Sequence, residues 1–224
     1  MAYSVVGVIN MALQRIGVKR IVSLTEDSDQ AIAANTVYEY IRDEVLSAKD
    51  WKFAKRRVAL AQNVATPEYG YDYAYTLPSD FLRLCLTKDG DDSFYPSGDY
   101  ASAWNSDELT IRSRKYGYSI EALSDGTFCM FTDYDNTDYD LYIAYIRKED
   151  NPAKWSPAFI NALAFRLAAE LALTRTESRS KFSDMMTLYE NALKKADEHN
   201  SYLEYVEDET GKLTTDNSWE RAGR

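Results

Sequence analysis

Apolar residues recur every three to four positions near the start of the chain, which is the spacing of helices that bury one face. A first helix is predicted to begin after Ser4, a good N-cap, and to stop at Gly17, which accepts the left-handed conformation. A second is predicted to start near Asp27, with Gln30 as its capping partner. The predicted buried stripes are Val5, Ile9, Ala12, Leu13 and Ile16, and then Ala34, Val37, Tyr38, Ile41, Val45 and Ala48.

The same spacing returns in the last third of the chain. Ser156 and Pro157 are typical of a helix start, and the run from Phe159 to Leu173 is apolar on nearly every side. We therefore predict a central helix that several neighbours cover. A fourth helix is predicted from about Arg179 to His199, and its apolar face comprises Phe182, Met185, Met186, Tyr189, Leu193 and Ala196.

Between these helical ends the pattern changes to short β-prone runs separated by turn residues. We predict strands at Tyr73–Leu77, Leu82–Leu86, Tyr118–Ala122, Thr127–Phe131 and Leu141–Ile146. The fold class is therefore predicted to be α+β. Residues 1–57 and 153–200 would form an antiparallel bundle of about four helices, and residues 58–152 a small antiparallel β insert.

The last stretch, residues 201–224, loses the periodicity and is polar and acidic. We predict an extended C-terminal arm that becomes ordered on a partner. The spaced residues that would anchor it there are Tyr202, Tyr205, Leu213 and Trp219.

Composition narrows the possible functions. Lys and Arg total 26 against 36 for Asp and Glu, which gives a net charge of −10 and argues against a protein that mainly grips nucleic acid. The 18 tyrosines favour contact surfaces, since they combine a rigid ring with a polar tip. No membrane span or signal peptide is predicted, so we expect folding in the cytoplasm.

Candidate catalytic groups are sparse in the sequence. His199 is the one histidine and is predicted to lie on a helix surface, and Cys85 and Cys129 are predicted to be buried, inert thiols. The sequence contains no zinc-type Cys/His spacing, phosphate loop or dinucleotide fingerprint. We therefore expect a non-catalytic protein without cofactor or metal.

The aspartates Asp133, Asp135, Asp138 and Asp140 offer oxygen ligands of the kind that calcium or magnesium prefers. An EF-hand is not predicted, because Asp138 replaces its glycine and Ala144 its closing glutamate. We predict a solvated turn between two strands. A metal-dependent or carbohydrate-acting enzyme that uses this run remains an alternative.

The segment from Trp51 to Arg57 combines four cations with two aromatic residues, the composition with which proteins bind single strands of nucleic acid. A nucleic-acid-binding module is therefore a further alternative. The structural interpretation is that Trp51 and Phe53 cover the end of the second helix while the cations pair with neighbouring acids.

Three stretches, read in order, carry a resemblance to a known family. They are Val5–Gly17 with Ile21–Asp27 and Arg42–Leu46, then Trp51–Leu60, then Tyr73–Arg83, and their motif residues include Trp51, Phe53, Arg56, Leu77, Pro78 and Asp80. The chain resembles the head-to-tail adaptors, or tail tubular protein A family, of short-tailed bacteriophages. Another phage neck or tail-completion protein is the alternative within the same setting.

The resemblance implies a structural virion protein in the particle's neck or tail, assembled in the host cytoplasm. It implies a ring of about twelve copies, closed by head-to-tail contacts. Its partners would be the portal protein, which the C-terminal arm contacts, and the tail nozzle, or tail tubular protein B. Genome DNA would pass through the channel without specific binding, since an acidic lumen repels phosphate.

Overall fold

A computed structural model describes residues 3–85, 94–96, 117–137 and 141–202, and confirms a mixed α+β protein. Within these ranges there are four α-helices and two small antiparallel sheets. The helices are α1 Val5–Arg15, α2 Asp29–Ala48, α3 Pro157–Thr176 and α4 Arg179–Tyr202. The strands are β1 Lys55–Leu60, β2 Tyr73–Thr76, β3 Phe81–Leu84, β4 Phe94–Pro96, β5 Tyr118–Ala122, β6 Phe128–Thr132 and β7 Leu141–Arg147.

Serine side chains begin the first three helices. The predicted caps of α1 and α3 are confirmed, because Ser4 Oγ accepts from the amide of Gly7 at 3.0 Å and Ser156 Oγ from that of Phe159 at 3.2 Å. Gly17, just past α1, has φ +77°, as predicted for a left-handed helix end.

The predicted cap of α2 near Asp27 lies one residue too early. Ser28 is the N-cap and accepts from the amide of Ala31 at 3.3 Å. The reason is Glu26, whose carboxylate accepts from the amide of Val22 at 2.7 Å and from the hydroxyl of Ser28 at 2.6 Å. These bonds hold the preceding residues in a turn, so the helix begins after them.

The prediction of a central helix is confirmed by α3, which packs against α1, α2 and α4. Its small residues let those neighbours approach closely, and it is buried on several sides. By length and mean hydropathy (1.2) alone this helix could cross a membrane, but 56% of that stretch is buried within the protein. Its buried residues are Phe159, Ile160, Ala162, Leu163, Ala164, Leu167, Ala168, Ala169, Leu171 and Ala172.

The first sheet is built around β7. It pairs with β1 along one edge, and with β3 and β4, one after the other, along its opposite edge. Neither β1 nor β4 was predicted. The three cations that open β1 obscure its alternation, and β4 has only three residues. The second sheet has the order β2, β6, β5.

Strand β7 belongs to two hydrophobic cores. Ala144 and Ile146 lie in the core formed by the helices, whereas Leu141, Ile143 and Tyr145 lie in the core between the two sheets. The first sheet is thus a shared layer with the helices on one face and the second sheet on the other. Burial on both faces explains why β7 is a nearly continuous apolar run.

Candidate functional site

The motif stretches Trp51–Leu60 and Tyr73–Arg83 both reach the region where α2 and α3 contact the first sheet. Trp51 is 1% exposed, and its Nε1 donates to the carbonyl of Val45 at 2.8 Å near the end of α2. Its ring lies edge-on to that of Phe159, with centroids 5.2 Å apart. Phe53 and Trp155 contact the same ring at 5.1 and 5.3 Å. These four residues form an aromatic cluster, and the prediction that Trp51 covers the end of the second helix is confirmed.

The Leu-Pro-Ser-Asp motif, residues 77–80, forms the turn before β3 and hydrogen-bonds to β7. Leu77 is buried between the two sheets, and the carbonyl of Pro78 accepts from the amide of Phe81 at 3.0 Å. Asp80 accepts from the hydroxyl of Tyr145 at 2.9 Å. Burial raises the pKa of Tyr145, and the hydrogen bond to Asp80 raises it further, so this phenol remains a neutral donor.

Arg83 joins β3 to the end of α2. Its Nε donates to the carbonyl of Ser47 at 2.6 Å, and its Nη2 pairs with Asp50 at 2.6 Å. Its Nη1 donates to the carbonyl of Leu84 at 2.7 Å. The sequence places Arg83 inside the motif, but its partners at positions 47 and 50 follow only from the folded structure.

A second set of ion pairs lies between α2 and the residues that follow β7. Arg42 is 4% exposed and pairs with Asp43 and Asp150, each at 2.8 Å. Lys148 pairs with Asp43 at 3.1 Å. The pairs fasten α2 to the segment after β7. Sequence reasoning gave Arg42 no role, although a cation on the apolar face of a predicted helix indicates a buried ion pair.

Glu149 is a further buried acid that the sequence did not single out. Its carboxylate pairs with Arg147 and with Lys154, the latter at 3.2 Å. Its carbonyl accepts from Nε1 of Trp155 at 3.0 Å, which positions one member of the aromatic cluster. Thus the segment between β7 and α3 is held by charge pairing and by hydrogen bonding.

A cleft of about 500 Å³ lies between the end of α2, β3 and β5. The polar atoms of Arg83 that reach it are already bonded, so this arginine is not a free anion-binding group. The remaining lining side chains are largely apolar. The cleft residues are Ser47, Ala48, Phe81, Leu82, Arg83, Leu84, Tyr118 and Ile120.

Three of the four cations of the basic segment, Lys55, Arg56 and Arg57, do not form the predicted ion pairs with any acid that the structure describes. In the described part of the chain, no carboxylate lies within salt-bridge distance of Lys55, Arg56 or Arg57. The physical reason is their position on β1 at the sheet edge, where Arg57 is exposed and Arg56, also exposed, lies beside the hydroxyl of Tyr145. The nearby acids Asp43 and Asp50 pair with other cations.

The two described aspartates of the acidic run support its turn. Asp135 accepts from the amide of Thr137 at 2.9 Å, and Asp133 from that of Asp72 at 3.2 Å. The Thr137 hydrogen bonds lower the pKa of Asp135. Asp138 and Asp140 lie outside the described residues. Among the residues that the structure describes, no three His, Cys, Asp or Glu side chains gather as a metal site.

Both cysteines are free and fully buried, as predicted. Desolvation raises the pKa of Cys85 to about 11 and also raises the pKa of Cys129, which keeps both thiols protonated near neutral pH.

The predicted arm begins within α4, whose last residue is Tyr202. Tyr205, Leu213 and Trp219 lie outside the described residues. No protein-family model matches this chain, and no curated protein matches it either.

Proposed function

We propose that this chain is a structural virion protein, a ring-forming head-to-tail adaptor that joins the portal to the tail nozzle of a short-tailed phage. One observation carries the proposal. The stretches Trp51–Leu60 and Tyr73–Arg83, on which the resemblance rests, lie together in the fold and bind the helices to the sheet. Their side chains together form one connection between the helices and the first sheet, which we call the helix–sheet joint.

A rigid helix–sheet joint suits a structural protein, whose function depends on holding its contact surfaces in fixed positions. Arg83, Arg42 and the cluster around Phe159 connect α2, α3 and the first sheet by packing and by charge pairs. Such contacts resist relative motion of the helical and β regions. A protomer that keeps one shape presents the same surfaces to each neighbour, and this is required for a ring to close.

As the finer arrangement, we propose that the four helices form an antiparallel bundle next to the portal, with the β region towards the tail. Residues 201–224 extend as an arm on the portal, anchored by Tyr202, Tyr205, Leu213 and Trp219. The partners are further copies of the chain, about twelve to a ring, with the portal protein and the nozzle, or tail tubular protein B. The ring forms in the host cytoplasm and remains in the neck of the virion.

The acidic character fits a channel for DNA. Each protomer carries a net charge of −10, so a ring of such protomers repels phosphate on average. DNA then passes without specific binding.

Electron microscopy of the purified chain mixed with purified portal rings tests the proposal. We expect a second ring on the portal and, in the complex, a mass increase that corresponds to about twelve chains. A matched variant that lacks residues 203–224 should keep its circular dichroism spectrum and lose portal attachment. The proposal is wrong if the full-length chain stays monomeric and leaves the portal bare. Unchanged attachment of the shortened variant would overturn the role of the arm.

A further inference from the structure

The connection between α3 and α4 is short and strained. Only Glu177 and Ser178 separate the two helices, and Glu177 has φ 50° and ψ 23°, in the left-handed region. Glycine or asparagine normally occupies such a position, because a larger side chain crowds the backbone there. The side chain of Glu177 is exposed, so a substitution at this position removes no buried contact.

The sequence of the connection is also compatible with one continuous helix. Residues 173–182 read Leu-Thr-Arg-Thr-Glu-Ser-Arg-Ser-Lys-Phe and contain neither glycine nor proline. Helix α4 starts here because Ser178 caps it, its Oγ accepting from the amide of Lys181 at 3.3 Å. Rotation of Glu177 and Ser178 into helical dihedral angles would join α3 to α4 and relieve the strain at Glu177.

Helix α4 packs mainly on α3, whereas α3 also packs against α1 and α2. In the described part of the chain no ion pair holds α4, and one polar contact is the bond from Lys181 Nζ to the carbonyl of Ile16 at 2.9 Å. Of its described side chains, Tyr189, Ala192 and Ala196 are buried. Detachment of α4 therefore exposes one large buried side chain and leaves the contacts of the helix–sheet joint unchanged.

The face of α3 that α4 covers fits a defined partner, which is α4 of a second copy. Because the copies are identical, the second α4 makes on this face the same contacts as the first. An exchanged pair thus keeps the packing of the single chain and replaces two strained turns by continuous helix. A short, strained connection favours such an exchange.

We propose that two copies of this chain exchange α4, so that α4 of each copy packs on α3 of the other. The exchange assigns the buried face of α3 as a surface for self-association. It requires only a second copy of the chain, so it does not depend on the adaptor proposal.

Spin labels on the full-length variant Pro157→Cys/Asn191→Cys measure the exchange directly. Both positions are exposed, and the native thiols Cys85 and Cys129 are buried. Labelled chains are mixed with an excess of unlabelled chains, so that each distance is measured within one chain, and monomer and dimer are separated by size. In the monomer the labels should lie within about 20 Å, because α4 runs back along α3. In the dimer a continuous helix should place them about 51 Å apart.

Substitutions of Glu177 should shift the monomer–dimer equilibrium in opposite directions. Glu177→Gly fits the left-handed turn and weakens the continuous helix, so the Kd of the dimer should rise about a hundredfold, about tenfold for each turn. Glu177→Val should lower the Kd, since a β-branched residue disfavours the left-handed turn. The matched controls Glu190→Gly and Glu190→Val change an exposed residue of α4 that is helical in both forms, and should leave the Kd unchanged. Analytical ultracentrifugation measures the Kd, and circular dichroism checks that each variant is folded.

Three results would overturn the inference. Dimers in which the labels stay within about 20 Å would assign the association to outer surfaces. A native chain and a folded Glu177→Val variant that both stay monomeric up to the solubility limit would exclude the exchange. Equal changes in Kd for glycine at positions 177 and 190 would remove the strained turn as the cause. Attachment to the portal is measured separately, so either proposal can fail without the other.

Discussion

The helical region and the two-sheet region are filled differently. Side chains such as Ile9, Leu13, Ile41 and Leu163 fill the helical core, with alanines where helices approach closely. Between the sheets, three of the nine buried core residues that the structure describes are tyrosines, and the Tyr75 hydroxyl donates to a carbonyl at 2.7 Å. The helical region therefore depends on packed volume, whereas the two-sheet region depends in addition on individual hydroxyl groups.

The largest expected effect comes from removing the centre of the aromatic cluster. Phe159→Ala deletes a fully buried ring that contacts Trp51, Phe53 and Trp155. The free energy of unfolding should fall by about 3–5 kcal/mol. Urea denaturation followed by tryptophan fluorescence measures it.

The matched control is Leu173→Ala in the same helix, where the side chain is 40% exposed. Its free energy of unfolding should stay within about 1 kcal/mol of the native value. A loss at Phe159 no greater than at Leu173 would contradict the account of the helical core.

Removal of a tyrosine hydroxyl from the two-sheet region should lower the free energy of unfolding by a smaller amount. Tyr75→Phe keeps the ring but leaves the buried carbonyl of Tyr134 without this donor. The expected loss in free energy of unfolding is about 1–2 kcal/mol. Tyr69→Phe, at an exposed position, serves as the control in the same urea titration. Identical stabilities of these two variants would remove the difference drawn between the regions.

The smallest effect is a dependence on pH in the loop before α2. Hydrogen bonds from Ser28, and then from the amides of Val22 and Ser23, lower the pKa of Glu26 from its ordinary value. A lowered folded-state pKa stabilises the fold above the unfolded-state pKa, and this contribution is lost as the pH falls through the folded-state value. Glu26→Gln should therefore be less stable than the native chain at pH 7.

At pH 3 the difference between Glu26→Gln and the native chain should be smaller than at pH 7. Urea titrations at both values measure it, with Glu39→Gln, on the exposed face of α2, as the control. A difference that grows as the pH falls would have the wrong sign for this interpretation.

Some of these features were predictable because they depend on near neighbours in sequence. Ser4 and Ser156 cap their helices from within three residues, and the all-round apolar run of α3 identified it as central. Local reasoning was wrong at α2, since the turn that Glu26 holds competes with a capping position at Asp27. It also missed β1, where cations interrupt the alternation.

The amino-acid sequence by itself determined the α+β class, the capped helices, the apolar central helix and the burial of both cysteines. Only the tertiary structure decided that side chains of β7 lie in two hydrophobic cores. The same is true of the bonds from Arg83 to Ser47 and Asp50, and of the contacts of Phe159 with the rings of Trp51 and Phe53. The physical reason is the separation along the chain of the groups that interact. Caps and periodicity arise within a few residues, whereas these contacts join groups far apart along the chain, and their pairing depends on how the layers pack.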